Sequence, residues 1–174
     1  MISKGGKIMP FEKGGRADKQ GNSYEINCII YEMLKVLNEI NYSVSIEAFG
    51  EDEIGTDILV TTSEGQKEHQ QCKARNASKE SWNIYDLKAK NILSAWKKQL
   101  DRDCFRKVAL VSPMTCSFLF DLNYRACNTS DKAEDFYSVQ IMKSSKEFQK
   151  FYKGFCEEMG INSDKDNDIS KSID

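Results

Sequence analysis

The chain has 174 residues, 40% of them hydrophobic, with a formal net charge of −2. That length suits one globular domain with a sizeable core, and no stretch is long and apolar enough to span a membrane as a helix. The amino end is basic but lacks the apolar run of a signal peptide, so a cytoplasmic setting is expected. Cys28, Cys72, Cys104, Cys116, Cys127 and Cys156 are scattered without a C-x-x-C pair and read as reduced core residues. His69 is the only histidine, which argues against a zinc cluster or a Ser/His/Asp triad.

In chain order, residues 1–22 form a Gly-rich lead-in, with Lys4, Lys7, Lys13, Arg16 and Lys19 against Glu12 and Asp18. It reads as a solvated arm or a phosphate-facing one. Ile26, Ile29, Ile30, Met33, Leu37 and Ile40 recur at helical spacing, which predicts a helix over 23–40 with these residues buried and Asn22 as its cap. Strands follow over 42–49, 54–62 and 69–75, the last two joined by a turn at Glu64 and Gly65. A helix over 84–101 presents Leu87, Ile92, Leu93, Trp96 and Leu100. Residues 107–112 read as a buried strand, 117–126 as a helix, 138–142 as a strand and 145–159 as a final helix opened by Ser145. The order is αβββαβαβα, an α/β domain over 23–160. The polar end, 161–174, holds four Asp and two Lys, which leaves 23 acids and 23 bases elsewhere. It reads as a flexible tail or a linker.

The stretch 55–75 carries the chemistry. Asp57 sits on an apolar β-like segment, and Gln71 and Lys73 lie two apart on the next one. Strand period two places those side chains on one face and Cys72 on the other. An acid, an amide oxygen and an ammonium at adjacent strand ends can hold a divalent cation and orient a water beside a phosphate. With glutamine in place of a second acid the set is one negative charge short. Glu25 is the candidate to restore it, because it lies about 40° from Ile29 on a helical wheel and so at the margin of the expected buried stripe.

Each of these residues has a plainer reading. Glu25 follows Asn22 at capping-box spacing, Asp57 can simply open a strand by bonding its turn, and Gln71 and Lys73 can be the solvent face of an edge strand. Leu59 shares Asp57's face and is expected to be buried, so an acid at that margin needs a partner. Arg75, Lys19, Gln20 and Asn22 are candidate DNA contacts. Trp82 and Tyr85 are expected to be core rather than base-stacking, and Lys88, Lys90, Lys97 and Lys98 form a solvated or phosphate-facing surface.

The G-x-D of Gly55 and Asp57 followed by the Q-x-K of Gln71 and Lys73 resembles the Mrr-like variant of the PD-(D/E)XK, or restriction-endonuclease-like, nuclease superfamily. Gly14, Gly15, Asp18, Gly21, Asn22, Tyr24 and Glu25, with the segment 82–87, are similar to the nuclease domains of bacterial anti-phage STAND NTPases and CBASS effectors. The resemblance implies a central mixed sheet flanked by helices and hydrolysis of double-stranded DNA with Mg²⁺, or Mn²⁺ as substitute. It implies a site of Glu25, Asp57, Gln71 and Lys73, with the Cys72 backbone carbonyl as a further ligand. A homodimer or higher oligomer, and fusion to a sensor or oligomerising domain, also follow from it. The alternative is a nuclease-fold module that binds DNA or protein without cutting, and RNA remains open as substrate.

Overall fold

A computed structural model describes residues 13–74, 79–129 and 136–161, with the backbone alone for 13–20. Helix α1 (Lys13–Leu37) leads into β1 (Asn41–Ile46), a 3-10 turn (Gly50–Asp52), β2 (Ile58–Thr62) and β3 (Lys67–Cys72). Then come α2 (Ile84–Ala89), α3 (Ile92–Arg102), β4 (Lys107–Val111), α4 (Ser117–Cys127), a π-helical turn (Phe136–Ile141) and α5 (Lys146–Met159). The strands form one mixed sheet in the order β1-β2-β3-β4, antiparallel through the meander and parallel between β3 and β4. The chain is therefore a mixed α/β fold, as its pattern predicts. Among the described residues no helix is long and apolar enough to cross a membrane.

Strand alternation sorts the core into two parts. Ile58, Val60 and Cys72 turn to α1 and pack with its Cys28 and Ile29, and with Val44 and Val111. Val108 and Leu110 turn the other way, to the larger core built by α2 to α5 around Leu87, Leu93, Trp96, Phe148 and Tyr152. β3 runs between β2 and β4, so His69, Gln70, Gln71 and Cys72 are all buried. A strand flanked on both edges and covered on both faces leaves its side chains no route to water.

Four expectations about the elements need correction, and of the cysteines expected in the core Cys104 and Cys127 are exposed. The first helix begins at Lys13, inside the expected lead-in, so Asn22 is an exposed residue within α1 and caps nothing. Its buried stripe also differs. Glu32 is buried because Asn41 and Gln70 hydrogen-bond it, which turns Cys28, Ile29 and Glu32 to the sheet and leaves Ile26, Ile30, Met33, Leu37 and Ile40 exposed. The helix over 84–101 is two helices, because Asn91 takes a left-handed conformation with φ 56°, which asparagine tolerates better than most residues. Residues 138–142 are not a strand. In the π-turn, where the Met142 N–H donates five residues back to the Tyr137 carbonyl at 2.9 Å, Phe136 and Ile141 are both buried, and among the described residues β4 ends the sheet. The last helix starts as expected, with the Ser145 hydroxyl accepting from the Phe148 N–H at 3.2 Å.

Candidate active site

Asp57 is delivered by a braced turn. Gly55 has φ +64°, and a Cβ built on it would lie 2.4 Å from Ala95 Cβ of α3, so only glycine fits. Thr56 then bonds back to the Glu53 carbonyl through its N–H at 3.1 Å, and its hydroxyl lies 3.0 Å from His69 Nδ1. The Asp57 N–H donates to the Gln70 carbonyl at 2.9 Å, extending the β2–β3 ladder by one residue. The acid's position is thus fixed by backbone on both sides.

Its carboxylate reaches across the strand ends. Oδ2 accepts from the Cys72 N–H at 2.7 Å and from Lys73 Nζ at 3.1 Å. Lys73 is in turn held by its own N–H, which donates to the Val111 carbonyl at 2.9 Å. Gln71, opposite Asp57 when the β2–β3 register is continued, is buried, and its Oε1 has no hydrogen-bond partner among the described residues. The Cys72 side chain packs toward α1, as the period of two requires. Burial and then contact with Cys28 push its thiol upward, so it behaves as a small apolar group and not as a nucleophile.

Glu25 joins this set from α1. Burial first, and the Asp57 carboxylate second, raise its proton affinity above that of an ordinary carboxylate, while Lys73 pulls the other way. A charge effect of this kind requires Glu25 to share the neighbourhood of Asp57 and Lys73. It lies seven residues, about 10 Å of axial rise, before Glu32 on the same side of the helix. Glu32 accepts from Lys35 Nζ at 2.9 Å, Asn41 Nδ2 at 2.9 Å and Gln70 Nε2 at 3.2 Å. That anchored carboxylate fixes the axial register of α1 and with it the place of Glu25.

The plainer readings fare differently. Capping by Glu25 is excluded, because α1 starts twelve residues earlier, at Lys13. The edge-strand reading of Gln71 and Lys73 is excluded, because β3 is an inner strand. Asp57 does bond its neighbouring backbone, but across to β3 and not within its own turn. Leu59 is half-buried, where full burial was expected.

Among the secondary candidates, Arg75 lies outside the described residues, as do the side chains of Lys19 and Gln20. Asn22 is exposed on α1. Trp82 is core, its Nε1–H donating to Ser112 Oγ at 3.0 Å, whereas Tyr85 is exposed beneath Lys150. Lys88 pairs with Glu157 and Glu158, and Lys97 with Asp101, so these two cations are already engaged. Sequence reasoning missed two supports, the His69–Thr56 contact and the Glu32 anchor. The first was readable, since His69, Gln71 and Lys73 share one strand face. The second was hidden by assigning the wrong side of α1 to the core.

The donor set suits a hard divalent cation. A buried carbonyl oxygen without a partner costs about 1–3 kcal/mol, and Gln71 Oε1 is such an oxygen. Glu25 and Asp57 repel each other's charge, a conflict that an oxygen-bound cation relieves. Among the described residues no three His, Cys, Asp or Glu side chains gather as for a metal, so a cation placed here would need the amide of Gln71 as its third side-chain donor.

Comparison with protein-family models, with curated proteins and with solved structures gives no match to this chain.

Proposed function

We propose that this domain is a metal-dependent endonuclease of the PD-(D/E)XK type, hydrolysing phosphodiester bonds of double-stranded DNA. The reading is carried by one observation: Lys73 Nζ sits 3.1 Å from Asp57 Oδ2 beside a second carboxylate, Glu25, whose proton affinity Asp57 raises. A Mg²⁺ or Mn²⁺ ion held by Asp57, Glu25, Gln71 and the Cys72 backbone carbonyl supplies, when bound, Lewis-acid activation of water and charge compensation on the phosphate. Lys73 orients the attacking water with its ammonium and offsets charge growing on the scissile phosphate. Asp57 holds that ammonium in place, and the Val111 carbonyl holds the Lys73 backbone. Glu25 completes the negative charge that Gln71 leaves missing.

The resemblance further supports an effector of bacterial anti-phage defence, joined to a sensor or oligomerising domain. One such site cuts one strand, so a double-strand break calls for a homodimer or higher oligomer. Cleavage of supercoiled plasmid in Mg²⁺ or Mn²⁺, with the chain forced to oligomerise, tests the reading. Wild type should nick and linearise, and Lys73→Ala should lose about 100-fold or more in rate while keeping its circular dichroism. Wild type that binds plasmid and leaves it intact under both metals would instead make this a binding module.

A further inference from the structure

We infer that the outer face of α1 is the interface through which two copies of this chain pair. The helix is apolar on two sides. One side, at Cys28 and Ile29, is spent on the sheet. On the other, Ile26, Ile30, Met33 and Leu37 follow at steps of four, three and four residues and lie within about 60° of arc. All four are exposed, from 45% at Met33 to 78% at Leu37. Steps of four and three are the spacing by which one helix seats against another, each knob entering a hole of the facing helix.

Three observations point to a second copy as the occupant. Beside this line Leu34 and Tyr31 on α1, and Ile40 and Tyr42 just beyond its end in sequence, are also exposed by half or more. At about 150 Å² for a fully exposed large apolar side chain, these eight residues offer on the order of 700 Å², close to the roughly 800 Å² per partner of a standard interface. The charged residues of 22–38, Glu25, Glu32 and Lys35, all lie off the line of Ile26, Ile30, Met33 and Leu37 by helical geometry, with Lys35 Nζ 4.5 Å from the centre of the Tyr31 ring at the margin. A two-fold contact sets each residue near its own copy or a close neighbour, so an uncharged stripe meets itself without like-charge repulsion. Asn27 and Asn38 lie between Leu34 and Tyr31 on one side of the apolar line by the same geometry, which adds uncharged polar groups to the patch.

This inference stands whether or not the chain cuts DNA. Sedimentation equilibrium of the full chain tests it. Wild type should be a dimer at tens of micromolar. Ile30→Lys should raise the dimer dissociation constant about 100-fold or more with unchanged circular dichroism, because Ile30 is half-exposed and not part of the core. Mixing Ile30→Lys with Ile30→Glu should restore pairing, since opposite charges then meet near the two-fold axis, and this separates a broken contact from a misfolded chain. A wild type that stays monomeric at about 100 µM, a dimer indifferent to Ile30→Lys, or variants that fail to pair when mixed would each overturn the proposal.

Discussion

Replacing Gly55 by alanine tests how the turn before Asp57 is held. Two costs add. An L-residue forced to φ +64° pays about 1–2 kcal/mol of left-handed strain. The new methyl would sit 2.4 Å from Ala95 Cβ and 3.8 Å from Ala95 Cα, and overpacking of that kind costs about 1–3 kcal/mol. Some relaxation at the turn brings the expected loss to about 2–4 kcal/mol. Urea unfolding followed by the fluorescence of Trp82 and Trp96, both buried, measures it. In a thermal melt followed the same way, the midpoint temperature should fall by about 5–12 °C for a chain of this length. The cause is separable, because Ala95→Gly removes the opposing methyl. Gly55→Ala in an Ala95→Gly background should cost only the strain, giving a coupling of about 1–3 kcal/mol in a double-mutant cycle. A loss below about 0.5 kcal/mol for Gly55→Ala, or a cycle with no coupling, would refute the close approach of this turn to α3.

The remaining predictions concern the supports of the site. Glu32→Ala strands the side chains of Asn41 and Gln70 and frees Lys35, so stability should drop by about 2–4 kcal/mol. Mg²⁺-dependent nicking should drop further than stability alone explains, because Glu25 loses its axial anchor, and parallel unfolding and cleavage assays separate the two effects. Burial and then the Arg106 guanidinium hold the His69 imidazole below its ordinary value of 6.5. The unfolded chain therefore binds the proton better, and the His69 contribution to stability is present above about pH 6.5 and declines as pH falls below it. Urea midpoints between pH 8 and 5.5 should slope downward in wild type and more gently in His69→Gln, and equal slopes in both chains would remove His69 as the cause.

Much of the fold was legible because period and punctuation agree there. The meander, the buried strand at 107–111 and the Ser145-capped last helix all pair a clear repeat with a clear stop. The meeting of Asp57 with Lys73 was legible for the same reason, since they stand one residue outside β2 and β3, whose register one turn fixes. The misreadings arise where two patterns compete. α1 carries apolar residues on two sides, and sequence alone does not say which one the sheet takes; buried Glu32, a charged residue, decides it through its hydrogen bonds to Asn41 and Gln70. Residues 138–142 are β-like in composition, yet tertiary packing of Phe136 and Ile141 beneath α5 outweighs that local preference. The break at Asn91 depends on one residue's tolerance of positive φ, and no periodicity reports it.

The two halves of the site differ in how far along the chain their parts come from. Asp57 and Lys73 are 16 residues apart in one hairpin, whereas the contact that anchors α1, Gln70 to Glu32, spans 38. The closure entropy of the longer loop is greater, so the ammonium–carboxylate half forms from local chain and the second carboxylate arrives only with the docked helix. α1 is thus a shared lever: one side sets where Glu25 stands and the other faces solvent with an apolar stripe. A partner seated on that stripe that shifted α1 would shift the second carboxylate with it, and by reciprocity of linkage a cation whose binding depended on Glu25 would then change that contact equally.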